Sequence, residues 1–143
     1  MTNENRDDAP SIENQQTITA WGLVTFGRHP AMGMASRMNV EVAELLEKLA
    51  GPDPQLRRLV LQQIELAEAI SKRHHWLQDQ GDERADAVTD VPGALEECYD
   101  VGIVLDQVAS ILKGNMVIGK TEKMRVNRAR TWSRLPGGRH QHD

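Results

Sequence analysis

The chain has 143 residues at 16.0 kDa, 39% of them hydrophobic and 27% charged. That is the size of one domain and too apolar for a chain disordered throughout. A single cysteine, Cys98, excludes an intramolecular disulfide and a thiolate zinc cluster. Aromatic residues are scarce while Met, Leu, Val and Ala supply the apolar bulk, a mix that favours helix over strand.

Residues 1–12 are polar without a period and are predicted to be a flexible arm. Their acidic start, MTNENRDDAP, lacks the layout of a signal peptide. Apolar runs such as residues 101–105 fall far short of the ~20 residues that span a bilayer. A cytoplasmic protein is therefore expected, with no membrane partner.

Helical spacing and stop signals then predict five helices. The first covers about residues 17–24 and stops before Gly27. The second covers about 34–50, with Met38, Val42, Leu45, Leu46 and Leu49 recurring at helical spacing, and ends at Gly51-Pro52. The third opens at Pro54, a favoured first-turn residue, and runs to Gln80. After a polar connection over 81–91, the fourth runs from Pro92 to Leu112, with Gly114 placed to cap it. The fifth covers about 119–132. Residues 133–143 are expected to be a loose tail broken by Pro136, Gly137 and Gly138. No strand alternation of useful length appears. The expected fold is all-α, a single domain over 1–143 forming a small bundle of four to five helices.

Charge is divided unevenly. Residues 1–119 carry ten Lys/Arg against nineteen Asp/Glu. Residues 120–139 carry Lys120, Lys123, Arg125, Arg128, Arg130, Arg134 and Arg139 against Glu122 alone. An acidic body with a basic end suits metal ions at one and phosphate at the other; a merely solvated tail is the plainer alternative.

A helix turns about 100° per residue, so the face of each carboxylate can be assigned. On the fourth helix, Glu97 and Asp100 align with Val101, Val104, Val108 and Ile111, the stripe expected to face the core. On the second, Glu41 borders Met38 and Leu45, and Glu44 follows one turn later. Unpaired carboxylates at the rim of a core are costly unless a cation is present. Mg²⁺ or Mn²⁺ prefers such hard oxygen donors, so Glu41, Glu44, Glu97 and Asp100 are the candidate ligands. Glu65 and Glu68 on the third helix share the spacing and stand in reserve.

Other chemistries fit poorly. No histidine follows a Glu at the Glu-x-x-His spacing of di-iron bundles, and no His-Glu-x-x-His, Walker A or Gly-x-Gly-x-x-Gly loop occurs. His74-His75 and His140-x-His142 could bind a transition metal, a weaker option. Cys98, on the apolar side of its helix, is expected to be a small core residue. The fifth helix offers Lys123, Asn127 and Arg130 at i, i+4 and i+7, one face able to reach a triphosphate. Trp21 could stack on a purine or serve as packing, and Asn39 could read a base edge.

These residues resemble the MazG-like all-α nucleoside triphosphate pyrophosphohydrolases, whose signature is Glu-Glu-x-x-Glu on one helix and Glu-x-x-Asp on a later one. Here the first reads Val40-Glu41-Val42-Ala43-Glu44 and the second Glu97-Cys98-Tyr99-Asp100. Trp21 with Thr25-Phe26-Gly27, Arg37-Met38-Asn39, and the block from Glu122 to Trp132 are similar to the branch acting on purine deoxynucleotides. The chain departs from the signature at Val40 and in the long interval between Glu44 and Glu97, which suggests an extra or extended helix over 52–91. The resemblance implies two or three Mg²⁺ or Mn²⁺ ions, a water attacking the α-phosphorus, and release of monophosphate and pyrophosphate. It also implies a homo-oligomer, dimer or tetramer. It further implies dGTP and GTP as the favoured substrates, as in phage enzymes supporting 2-aminoadenine DNA synthesis, and then a place in the host cytoplasm. A house-cleaning or dATP-preferring enzyme and a non-catalytic module that senses nucleotide or binds a partner are the alternatives. Nucleic-acid binding is disfavoured by the acidity and the lack of a basic stripe with interleaved aromatics.

Overall fold

The computed structural model describes residues 12–27, 29–134 and 140–142. The arm expected over 1–12 lies outside these residues except for Ile12, as do 135–139 and 143 of the expected tail. Five α-helices account for most of the described chain, in keeping with the all-α expectation: α1 (Gln15–Phe26), α2 (Ala31–Leu49), α3 (Pro54–Asp79), α4 (Val91–Ile111) and α5 (Met116–Ala129). A 3-10 turn, Glu83–Ala85, follows α3. After α5, two three-residue strands, Trp132–Arg134 and His140–His142, pair as β1 and β2. Among the described residues, no single helix is long and apolar enough to cross a membrane.

The helix ends follow local chemistry. Asn14 caps α1: its side chain accepts from Thr17 N–H, while its own N–H donates to the Thr17 hydroxyl, both at 2.9 Å. The side chains of Asp53, Asp90 and Asn115 do the same work for α3, α4 and α5, accepting from Leu56, Gly93 and Ile118 N–H. At Gly93 the Asp90 carboxylate folds so closely over the backbone that a β-carbon would collide with it. The end of α4 differs from expectation. The left-handed residue there is Lys113, with φ 63°, and Gly114 follows it.

The chain divides into two units. One, the hairpin unit, holds α2, α3 and the 3-10 turn, with α2 packed along α3. Its buried residues are small: Ser36 and Ala43 on α2, Val60, Ala67 and Ser71 on α3, together with His74 and Ala85. Ser36 and Ala43 are seven apart, as are Val60, Ala67 and His74, the repeat of a coiled-coil seam. The Ser36 hydroxyl is satisfied within its own helix, donating to Met32 and Gly33 carbonyls. This corrects the expected core: Met38, Val42, Leu46 and Leu49 are exposed, because the helices meet on their small residues instead. His74 Nε2 lies 2.9 Å from the Ala85 carbonyl oxygen and so donates to it, pinning the 3-10 turn to α3, whereas Nδ1 is buried without a partner.

The terminal unit holds α1, α4 and α5. The Glu13 carboxylate accepts two hydrogen bonds from the Arg128 guanidinium, at 2.8 and 3.1 Å, and a third from the Thr17 hydroxyl. Its backbone N–H donates to the buried Thr121 hydroxyl on α5. Trp21, Phe26 and Trp132 meet edge to face with centroids 5.2–6.0 Å apart, the favourable geometry for aromatic rings. The axis of α5 turns 96° from that of α4. No residue of α4 is buried. The stripe expected to face the core, Val101, Val104 and Ile111, is exposed, and so is Cys98, which is not the core residue the sequence suggested.

Candidate functional site

Glu41 and Glu44 fall on consecutive turns of α2 in the hairpin unit, both exposed. Burial raises the Glu44 carboxyl above the ordinary carboxylate range, and the charge of Glu41, a hydrogen bond shared with it, and the charge of Glu47 add to the effect. Lys48 opposes it. Glu47, half-buried and three residues beyond Glu44, is a neighbour the sequence reading passed over, although the i, i+3, i+6 spacing was visible.

Glu97 and Asp100 fall on α4 in the terminal unit, one turn apart, and both are exposed. Neither acid pair is at the rim of a buried core, because the small-residue seam of α2 and the bare surface of α4 take the place of the expected stripes. Among the described residues, no three His, Cys, Asp or Glu side chains gather closely enough to hold a metal ion. The reserve pair is on α3, with Glu65 exposed and Glu68 half-buried.

His74 offers little to a transition metal, since its Nε2 is engaged by Ala85. The side chains of His140 and His142 lie outside the described residues. A shallow cleft of about 40 Å³ near the turn between α2 and α3, lined by Glu47, Ala50, Arg57, Val60 and Leu61, has room for little more than a water.

The basic end divides by partner. Arg128 is committed to Glu13, and Arg125 pairs with Glu122 one turn away. Lys123 projects from α5 exposed, while Met124 beside it is buried. Asn127 is half-buried, its amide 3.8 Å from the Met124 sulfur and its carbonyl accepting from the Trp132 indole N–H. Arg130 departs from the predicted helix face: it is the C-cap of α5 and has extended backbone, φ −83° and ψ 150°. Trp21 is taken up by the aromatic cluster, which is the packing role. Asn39 is half-buried on α2, two residues before Glu41. No family model, curated protein or solved structure matches the chain.

Proposed function

We propose that the chain is a metal-dependent pyrophosphohydrolase that converts nucleoside triphosphates to monophosphate and pyrophosphate. Guanine nucleotides, dGTP and GTP, are its favoured substrates, in keeping with phage 2-aminoadenine DNA metabolism, and the working form is a homo-oligomer. The observation that carries the reading is the crowding of Glu41, Glu44 and Glu47 on one face of α2, which raises the Glu44 carboxyl. The resemblance of the blocks around Glu41, Glu97 and Lys123 supplies the rest.

The donor chemistry of each pair, Glu41 with Glu44 on α2 and Glu97 with Asp100 on α4, fits a hard divalent cation, since each offers carboxylate oxygens alone. Bound there, Mg²⁺ or Mn²⁺ supplies an acidified water and neutralises charge on the phosphates. Glu41 and Glu44 would hold the cation as carboxylates, its charge offsetting the Glu41 charge that raises the Glu44 carboxyl. One of the two then accepts the proton of the attacking water. Lys123, free of any ion pair among the described residues, offers its ammonium to the leaving pyrophosphate, and Asn127 and Arg130 follow it along the chain.

Hydrolysis of the eight common nucleoside and deoxynucleoside triphosphates with Mg²⁺ or Mn²⁺, resolving pyrophosphate from phosphate, tests the proposal. Monophosphate and pyrophosphate from guanine nucleotides are expected. The same products from another base keep the chemistry and overturn the specificity, as for a house-cleaning or dATP-preferring enzyme. Absence of turnover favours the nucleotide-sensing or partner-binding module, a reading to which the exposed apolar surface of α4 lends weight.

A further inference from the structure

We propose that the elbow between α4 and α5 docks on an anionic lipid surface, its apolar tip entering the interface and its lysines meeting the headgroups. The tip is made of Ile111 and Leu112 at the end of α4 and Val117 and Ile118 in the first turn of α5, which are 79%, 57%, 53% and 65% exposed. Met116, half-buried, sits between them in sequence. Single exposed apolar residues are ordinary, but four within eight residues, on both sides of one turn, form a patch. Taken together, α4 and α5 have the length and apolarity of a membrane span, and the 96° bend between them makes an elbow of it instead of a straight crossing. Both helices belong to the terminal unit.

Charge selects a lipid surface as the occupant. Residues 107–121 contain no Asp or Glu, whereas Lys113 lies in the turn itself and Lys120 follows Val117 by one helical turn. Both lysines are exposed, and neither makes an ion pair among the described residues. The nearest acids are compensated or face away. Glu122 pairs with Arg125, and Glu13, whose backbone N–H reaches Thr121, pairs with Arg128. Asp106 lies five residues before Ile111, ~7.5 Å back along α4 and about 140° around it. An apolar tip flanked by cations, with acids held back, matches anionic headgroups over acyl chains, where apolar side chains sit ~5–10 Å deep and each lysine adds attraction. The sequence predicts no membrane partner because no apolar run spans a bilayer, but docking at the interface requires no span. The inference uses none of the residues of the catalytic reading.

The full chain tests it on vesicles of phosphatidylcholine made with and without phosphatidylserine. In a flotation assay at low salt the chain should rise with the phosphatidylserine vesicles and stay below with phosphatidylcholine alone, and high salt should release it. Lys113→Gln with Lys120→Gln should weaken binding about tenfold or more, at about fivefold per lysine. Ile111→Asp with Ile118→Asp should abolish it while the far-ultraviolet helix signal persists, since both side chains are largely exposed. Insertion is read with an environment-sensitive fluorophore at Ile118→Cys in a Cys98→Ser background, which nitroxide-bearing acyl chains should quench. The same fluorophore on native Cys98, 13 residues before Ile111 and ~20 Å back along α4, should stay unquenched. A chain that stays below with both vesicles overturns the inference and assigns the tip to a protein contact. Binding that is equal on both vesicles or unmoved by the lysine changes overturns it too, as does quenching at Cys98 equal to that at the tip. If Ile111→Asp with Ile118→Asp fails to fold, the lysine changes and the quenching decide.

Discussion

Lys113 occupies the position at which a helix of this ending ordinarily has glycine. Its N–H donates to Ser110 O at 3.0 Å and the Gly114 N–H to Ala109 O at 2.8 Å, the paired bonds of a Schellman ending, with the left-handed residue between them. A residue with a β-carbon held at φ 63° is strained by ~1–2 kcal/mol. Lys113→Gly removes that strain and returns ~0.4–1 kcal/mol to the freedom of the unfolded chain. The net expectation is a gain of about 0.5–1 kcal/mol, or a rise in Tm of a few degrees for a chain of this size. Lys113→Val, β-branched and least tolerant of this conformation, should instead lose about 1 kcal/mol or more. Urea unfolding followed by circular dichroism reads both variants. Matched protein concentration excludes mass-action effects, and high salt screens the lost charge. If Lys113→Gly were no more stable than the parent and Lys113→Val no less, the strain argument for this turn would be refuted.

Other outcomes follow from the same geometry. Glu97→Gln should lower pyrophosphate release by at least roughly a hundredfold, since even outer partners of a metal site cost ~10–100-fold; unchanged turnover would remove Glu97 from the proposed ligand set. Ala67 is fully buried in the α2–α3 seam, so Ala67→Leu should cost ~1–3 kcal/mol by overpacking, and an unchanged urea midpoint would contradict the close helix approach. The Arg84 side chain and backbone hydrogen bonds hold the Asp82 carboxyl down to about 2, below its usual 3.8. The turn stability linked to Asp82 is therefore present above pH ~4 and lost as pH falls towards 2, and Arg84→Ala should move the carbon-detected titration back up. Glu44 runs the other way. Its raised carboxyl contributes stability that is complete below the ordinary Glu range and is lost as pH rises through its own titration, and Glu41→Gln should shift that titration down. Millimolar Mg²⁺ should restore the loss in the parent and not in Glu41→Gln.

Periodicity made α2, α3 and α4 legible, and Pro54 and Gly51-Pro52 marked their ends to within a few residues. The starts of α1 and α5 were less visible, because Asn14 and Asn115 cap them without the usual Glu or Gln three residues on. Periodicity also identifies which side of a helix is apolar, not what covers it. The Met38-to-Leu49 stripe is the stronger hydrophobic signal on α2, yet Ser36 and Ala43 are the buried residues, since small side chains let two helix axes approach. On α4 the apolar pattern is present but nothing buries it, so Glu97 and Asp100 border no core and Cys98 lies at the surface instead of inside. For the candidate site, the i, i+3 pairing of Glu41 with Glu44 was readable from spacing alone. Committing Arg128 to Glu13 was not, because that contact joins residues 115 apart.

That same ion pair bears on the order in which the molecule can form. Within the hairpin unit, α2 and α3 follow one another in sequence and are joined by a short turn, so closing them on each other costs little loop entropy. The terminal unit is interrupted by the whole hairpin, and α1 finds Thr121, Arg128 and Trp132 only after nearly all of the described chain exists. During synthesis Trp21 and Phe26 of α1 must therefore wait through the emergence of α2, α3, α4 and α5 before Trp132 can join them. A chain halted before Asn115 would hold α2 and α3 complete while the contacts of α1 with Thr121, Arg128 and Trp132 are still unmade.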